Sequence, residues 1–297
     1  MKFKRVILVF NPRSSKYIRV RNEVLDPLMK KEGILLGKFE VEPTNVDENA
    51  ARLARILEDD DLVVTAGGDG TATIGLNGVV QSKKAVKFAV LPYGNFNDTA
   101  RLLGCRNIDE ILDGKTREIY PLVAEIDGRI WRRATCYFTI GMLAESTEAF
   151  DQPSTRKSLR KGKQGMFFSI WTLFTWWRRN RKHEFLPKEV FGKKTDILAV
   201  NGKSVAKIMK GDPKTAFSKD KFIASIQNLR GFWGIAVFMI KSIIYRVPGE
   251  RKRALKIDFG KRTKVEIQAE GEYVTKAMTT LKIYKSNEPV IMVMRRK

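Results

Sequence analysis

Residues 61–66, DLVVTA, run straight into Gly67-Gly68-Asp69-Gly70-Thr71, and residues 87–92, KFAVLP, run into Tyr93-Gly94-Asn95-Phe96-Asn97-Asp98. Each is a short apolar run of buried-strand type, then a turn rich in Gly and Asn/Asp, then a helix-like pattern. Working outward, the same alternation continues. KRVILVF (4–10) ends at the turn Asn11-Pro12, a helix-like stretch follows to about Lys31, and ILLGKFEVE (34–42) reads as extended. Thr44 and Asn45 precede Ala50, Leu53, Ala54 and Leu57 at three-and-four spacing, which predicts a capped helix. A further helix is predicted over 96–103. Strands alternating with helices specify a parallel sheet with crossovers, and ligands of such sheets sit beyond the C-terminal strand ends.

The two Gly/Asp turns fall at those ends. In GGDGT, three glycines let the backbone come close to a ligand, and the helix that follows aims N–H groups at a phosphate. Asp69 cannot itself cradle phosphate, but a carboxylate there suits Mg²⁺ bridging the phosphates. No GK[ST] follows, so this is not a Walker loop. Taken singly, the first turn also reads as an ordinary strand-to-helix connection, and Asp98 as a favourable acidic residue at a helix start. Two such loops on successive strand ends are more specific than either.

The 297 residues include 56 Lys+Arg against 33 Asp+Glu, a formal charge of +23, so polyanionic partners are expected: nucleic acid, an anionic lipid surface or a phosphorylated ligand. Two cysteines, Cys105 and Cys136, exclude a disulfide framework and match no zinc motif. The one histidine, His183, excludes mechanisms that need two imidazoles. The apolar part of MKFKRVILVF is shorter than a signal-peptide h-region, and MFFSIWTLFTWW (166–177) and FWGIAVFMIKSIIY (232–245) are shorter than a bilayer span, so a cytosolic protein is expected.

From Thr116 the pattern changes to short extended runs: REIYPLVAEI, RIWRRATCYFTI, TDILAV, KFIASI, ALKIDF, KVEIQA and VIMVM. These predict an antiparallel sandwich, with a domain boundary near 115–120. AEGE (269–272) reads as a hairpin turn with exposed glutamates, or as a functional acid pair. Two insertions carry the basic charge: RKSLRKGKQG (156–165) leading into the 166–177 aromatic run, and LRGFWGIAVFMIKSIIYRVPGERKR (229–253). They read either as helices packed on the sheet with solvated ends, or as a peripheral membrane surface on which aromatics meet the interface and Lys/Arg meet anionic head groups. No nucleic-acid motif accompanies the charge, and no specific nucleic-acid partner is expected.

The sequence resembles the diacylglycerol-kinase-type lipid kinases, the soluble bacterial kind related to sphingosine kinases. Asn11-Pro12, GGDGT (67–71), Asn77-Gly78 and PYGNFNDTARLLG (92–104) carry the resemblance, with AEGE standing where the family has D-G-E. It implies an α/β nucleotide-binding domain over 1–118, with a parallel sheet like that of NAD kinases and phosphofructokinases. It also implies a β-sandwich acceptor domain over 119–297, whose final strand (about 283–297) returns to the first. By the same resemblance Asn11, Pro12, Thr44, Gly67, Gly68, Asp69, Gly70, Thr71 and Asn95 would line an ATP site. Asp69 and Asp98 would join a Mg²⁺ and phosphate network, and Glu270, with Glu272 beside it, would supply the general base. A structural Mg²⁺ site would fall on Asp220 and the carbonyls of Phe217 and Phe222.

The chain departs from the family pattern at Ala72-Thr73-Ile74, where Asn-Glu is usual, at Asn95, where Thr is usual, and at Glu270, where Asp is usual. The expectation is an ATP- and Mg²⁺-dependent kinase of a membrane-lipid hydroxyl, most simply that of diacylglycerol, held peripherally on the inner membrane face. The alternatives are a catalytically weakened lipid- or nucleotide-binding module and a kinase of a soluble acceptor such as NAD. Oligomeric state stays open, a homodimer included.

Overall fold

The structure, a computed structural model, describes residues 2–147, 163–181 and 184–296. His183 and the first part of the 156–165 basic run lie outside the described residues. The chain divides into two units: residues 1–121 with 133–135 and 286–297, and residues 122–132 with 136–285.

The first unit is built on a six-stranded sheet in the order Leu36–Glu40, Val6–Phe10, Leu62–Gly67, Lys87–Pro92, Val290–Met294, Lys115–Ile119. The first four are parallel, Val290–Met294 joins parallel to Lys87–Pro92, and Lys115–Ile119 pairs antiparallel with Val290–Met294. Every residue of Val6–Phe10 and Leu62–Gly67 is buried, as expected for central strands covered on both faces. One side of the core gathers Val6, Leu8, Phe10, Leu62, Val64, Ala89 and Leu91.

Local chemistry fixes the helices. Asn45 caps Val46–Ile56, its Oδ1 accepting the Glu48 N–H at 2.8 Å while its Nδ2 donates to Glu48 Oε1 at 2.8 Å, which steadies the cap side chain. The Asp69–Ser82 helix is buried over most of its length, so small residues must face its neighbours. A Cβ on Gly75 would lie 2.3 Å from Thr65 Cγ2, and one on Gly78 would lie 2.7 Å from Leu53 Cδ2. These positions let the helix settle directly on the sheet and on Val46–Ile56. The order 2-1-3-4 of the first four strands reverses direction between Val6–Phe10 and Leu62–Gly67, which is where open α/β sheets open a ligand crevice.

The second unit carries an antiparallel sheet of eight strands: Glu250–Lys252, Phe222–Gln227, Asp196–Val200, Tyr137–Gly141, Ala254–Ala269, Glu272–Lys285, Leu122–Ile126, Arg129–Ala134. Where a sandwich was expected, the antiparallel unit is present as one continuous eight-stranded sheet beside a separate two-stranded pair, Ser204–Val205 with Met209–Lys210. ALKIDF and KVEIQA, read as separate runs, form a single strand whose register slips between Asp258 and Thr263. REIYPLVAEI splits the other way: Lys115–Ile119 stays with the first sheet and Leu122–Ile126 enters the second, with Pro121 between them. Two helices, Lys163–Arg179 and Gly231–Ile244, pack against each other on this unit. No helix among the described residues is long and apolar enough to cross a membrane.

Candidate functional site

Three loops converge at the C-terminal ends of the parallel strands. The Asp69 carboxylate joins two of them: Oδ2 accepts the Asn97 N–H at 2.9 Å and Oδ1 accepts the Asp98 N–H at 2.8 Å. Asn97 holds its own turn closed, Oδ1 accepting the Gly94 N–H at 2.6 Å and Nδ2 donating to the Gly94 carbonyl at 2.9 Å. It does so in the left-handed region (φ 56°), a conformation that Asn tolerates better than most residues. The third loop follows Val6–Phe10 and contributes Lys16, whose Nζ donates to the Gly94 carbonyl at 2.6 Å.

The glycines of GGDGT serve this convergence more than they free the backbone. A Cβ on Gly67 would fall 2.4 Å from Thr71 Oγ1, and one on Gly94 would fall 2.2 Å from Gly68 Cα. The two turns therefore touch backbone to backbone. Gly70 alone of the three has nothing within 4 Å of an added Cβ and is open to a ligand. Gly68 is the N-cap of Asp69–Ser82 and offers no capping side chain, so this helix start is available to an anion.

The remaining predicted positions of this unit surround those loops. Asn11 Oδ1 accepts the Arg13 N–H at 2.9 Å, shaping the turn after the first strand. Exposed Thr44 accepts from Asn49 Nδ2 at 2.9 Å, and Asn95 is exposed on its loop. Asp98 is buried at the helix start and faces Arg101 at 3.5 Å. A cleft of about 720 Å³ opens beside Pro12, lined by Arg13, Glu40, Pro43, Arg52 and Arg55 among others. Its volume lies in the range of small-ligand pockets. Sequence reading missed the cleft, Lys16 and Asn97. For Asn97 a signal existed, since Asn before an acidic helix start is a common turn residue.

For Mg²⁺ the donor set of this unit is one central carboxylate. Each Asp69 oxygen accepts one backbone N–H, which fixes the direction in which the carboxylate faces. Mg²⁺ ordinarily takes one or two carboxylates, several waters and the substrate phosphates, not an all-protein cage. Among the described residues there is no group of three His, Cys, Asp or Glu placed to hold an ion. Asp69 is the residue that would hold Mg²⁺ here, and the ion would supply neutralisation of phosphate charge.

In the second unit, Glu270 and Glu272 flank the turn between the two long strands. Glu270 is 1% exposed and sits at φ 46°, with Oε1 accepting the Cys136 N–H at 2.7 Å. It is thus not the solvent-facing glutamate of an ordinary hairpin. Glu272 Oε2 pairs with the buried Arg132 at 2.6 Å, and the Arg132 guanidinium lies 4.8 Å from the Trp131 ring. That contact makes Glu272 an anchor for the hairpin.

Behind Glu270 the Cys136 carbonyl accepts the N–H groups of Asn201 (2.6 Å) and Gly202 (3.1 Å). Asn201 Oδ1 accepts from the Lys285 ammonium, which also donates to the Thr215 carbonyl at 3.0 Å. Burial pushes the Lys285 pKa down to about 7.

Of the proposed structural metal ligands, Phe217 follows the Pro213–Ala216 helix, Phe222 opens the Phe222–Gln227 strand, and half-exposed Asp220 lies between them. Asp220 already accepts Ser218 Oγ at 3.2 Å and faces the Arg253 guanidinium at 3.5 Å. The exposed Arg253 guanidinium would compete with a divalent ion for that carboxylate.

The fold defines a class: an open parallel sheet with Gly/Asp loops at its switch point, combined in one chain with an antiparallel unit. Residues 5–121 match the family model of the diacylglycerol kinase catalytic domain, so the resemblance carried by the loop motifs holds over that region. The chain is 32% identical over 124 residues to a diacylglycerol kinase of Staphylococcus epidermidis and 29% identical over 123 residues to one of Staphylococcus carnosus. Each match covers 39% of this chain, and the chain spans 38% and 40% of those relatives' lengths. A crystal structure of a diacylglycerol kinase from Bacillus anthracis superposes with a TM-score of 0.68 at 16% identity, covering 99% of this chain and 98% of that one. At that identity the likeness speaks for the fold, and it extends through both units.

Proposed function

We propose that this protein is an ATP- and Mg²⁺-dependent lipid kinase that phosphorylates the hydroxyl of a membrane lipid, with diacylglycerol as the simplest acceptor and phosphatidic acid as its product. The observation that carries the reading is the Asp69 carboxylate bridging the GGDGT and YGNFND loops at an uncapped helix start. Phosphoryl transfer asks a protein mainly for alignment and for neutralisation of charge. Backbone N–H groups of the first loop would take phosphate oxygens, the Asn11, Thr44 and Asn95 loops would frame the nucleotide, and Asp69 would hold Mg²⁺. Bound there, Mg²⁺ would neutralise charge on the phosphates undergoing transfer.

A lipid hydroxyl must also lose its proton as the new O–P bond forms. Glu270 is the base in this reading, with the Cys136 N–H orienting its carboxylate and Glu272 fixing the hairpin through Arg132. In domain terms, residues 1–118 would serve the nucleotide and 119–297 the acceptor. With no spanning helix among the described residues, the enzyme would reach its lipid from the membrane surface, drawn to anionic lipid by its +23 charge.

The test is to incubate the full chain with labelled ATP, Mg²⁺ and vesicles of a total lipid extract, then separate the lipids. Label in an organic-extractable product is the expected result, and the product's identity names the acceptor. ATP binding without labelled lipid would refute the lipid-kinase reading and favour a weakened binding module, a role that the Glu-for-Asp exchange at 270 would suit. Label on NAD in a parallel incubation with NAD in place of the vesicles would point to a soluble acceptor.

A further inference from the structure

The Gly231–Ile244 helix is apolar on two faces, and the described residues cover only one of them. Ile235, Ala236, Phe238, Met239 and Ser242 are buried against the second unit. On the other side Trp233, Val237, Ile240 and Ile244 are exposed, at spacing i, i+4, i+7 and i+11, which is one continuous stripe. Trp233 is 77% and the following Tyr245 74% exposed, extreme values for aromatic side chains. The neighbouring helix extends the patch. Trp171 lies 6.0 Å from Phe174, Phe174 meets Phe232 edge-on at 5.4 Å, and Phe232 meets Trp233 at 5.3 Å.

The charge carried by the two helices themselves has one sign. Neither Lys163–Arg179 nor Gly231–Ile244 contains an Asp or Glu, while Arg178, Arg179, Arg230 and Lys241 are exposed on or beside the two helices. A second copy meeting this face about a two-fold axis would set like charges against each other. An anionic bilayer surface matches both features at once: its head groups take the cations, and its glycerol region takes Trp and Tyr. At about 1.5 Å per residue, the 14-residue helix is roughly 21 Å long, too short to cross a bilayer and suited to lying in its plane.

We infer that the outer stripe Trp233-Val237-Ile240-Ile244, with Tyr245 and Trp171, is the surface by which this protein inserts shallowly into an anionic membrane leaflet. The inference rests on the lipid-kinase reading for its purpose but not for its test. Cys105 and Cys136 are both buried, so a Val237→Cys variant can be labelled selectively with an environment-sensitive fluorophore. On vesicles of phosphatidylglycerol and phosphatidylcholine in equal parts, without ATP, the label should shift to the blue and be quenched by brominated acyl chains.

The double variant Trp233→Ser/Ile240→Ser changes only exposed side chains and should melt as the wild type does. One large apolar side chain accounts for about a tenfold change in partitioning, so vesicle affinity should fall roughly 100-fold. Unchanged vesicle affinity in the double variant, or an unquenched label on bound protein, would overturn the inference. So would vesicle-free dimerisation of the wild type that the double variant abolishes, because that would assign the face to a second copy. Lipid phosphorylation in detergent micelles separates the two claims. Micellar activity without vesicle insertion sinks the surface and leaves the kinase, whereas insertion without any lipid product sinks the kinase and leaves the surface.

Discussion

Asp69→Asn is close to isosteric and distinguishes a carboxylate that only holds metal from one that also holds the fold. In the structure both oxygens accept backbone N–H groups, at 2.9 Å from Asn97 and 2.8 Å from Asp98. A carboxamide has one oxygen, so its NH₂ must oppose one of those N–H donors. One charge-assisted hydrogen bond, worth about 1.5–3 kcal/mol, is lost, and the opposed donor sits where water reaches it poorly. A total near 3 kcal/mol corresponds to a fall in Tm of about 10 °C for a unit of this size. The assay is thermal unfolding of wild type and variant at pH 7 without nucleotide or metal, followed by ATP binding. Parting of the loops predicts lower Tm and weaker ATP binding together. A variant that melts within about 2 °C of the wild type would refute the clamp.

Other perturbations test neighbouring parts of the same account. Gly94→Ala would place a Cβ 2.2 Å from Gly68 Cα, forcing the turns apart by about 1 Å; a misplacement of that size costs roughly 10²-fold in rate, so turnover should collapse while the variant still folds. Glu270→Gln should lower kcat for lipid phosphorylation by about 10²-fold or more with little change in ATP affinity, since general-base catalysis contributes about 10²–10⁴. Equal rates would remove Glu270 from the chemistry.

Lys285 makes a prediction about pH. Its pKa is about 7 in the folded chain against 10.5 ordinarily, so between those values the unfolded state binds more protons. Stability must then rise with pH across that window, by at most about 1.4 kcal/mol per unit. The Lys285→Met variant should lack this component, and parallel Tm-versus-pH curves for the two proteins would contradict it.

Much of the first unit was legible because its signals are local. Asn45 is a cap by residue type, the strands ending at Phe10, Gly67 and Pro92 are apolar runs, and the loops after them declare themselves by Gly and Asp. Glu270 was legible as a position but not as an environment. Its burial depends on Cys136, more than 130 residues away in sequence, and no window around AEGE contains that information. The same holds for Lys16 at Gly94 and for Arg132 at Glu272, where a long-range partner decides whether a charged residue is surface decoration or part of a site. The division of REIYPLVAEI between two sheets was hidden for a different reason. Both halves have strand propensity, and only the pairing of Lys115–Ile119 with Val290–Met294 assigns the first half.

That pairing has a temporal side. Val290–Met294 is wedged between Lys87–Pro92 and Lys115–Ile119, so the first sheet is completed by a strand made roughly 170 residues after Ile119. At about 5–20 residues per second, the nascent chain waits roughly 10–30 s with two strand edges unsatisfied. Over that interval the half-built sheet offers bare N–H and C=O groups to any passing strand. Premature release of the polypeptide would leave that wound permanently open, which makes truncated products of this chain natural clients for chaperones and proteases.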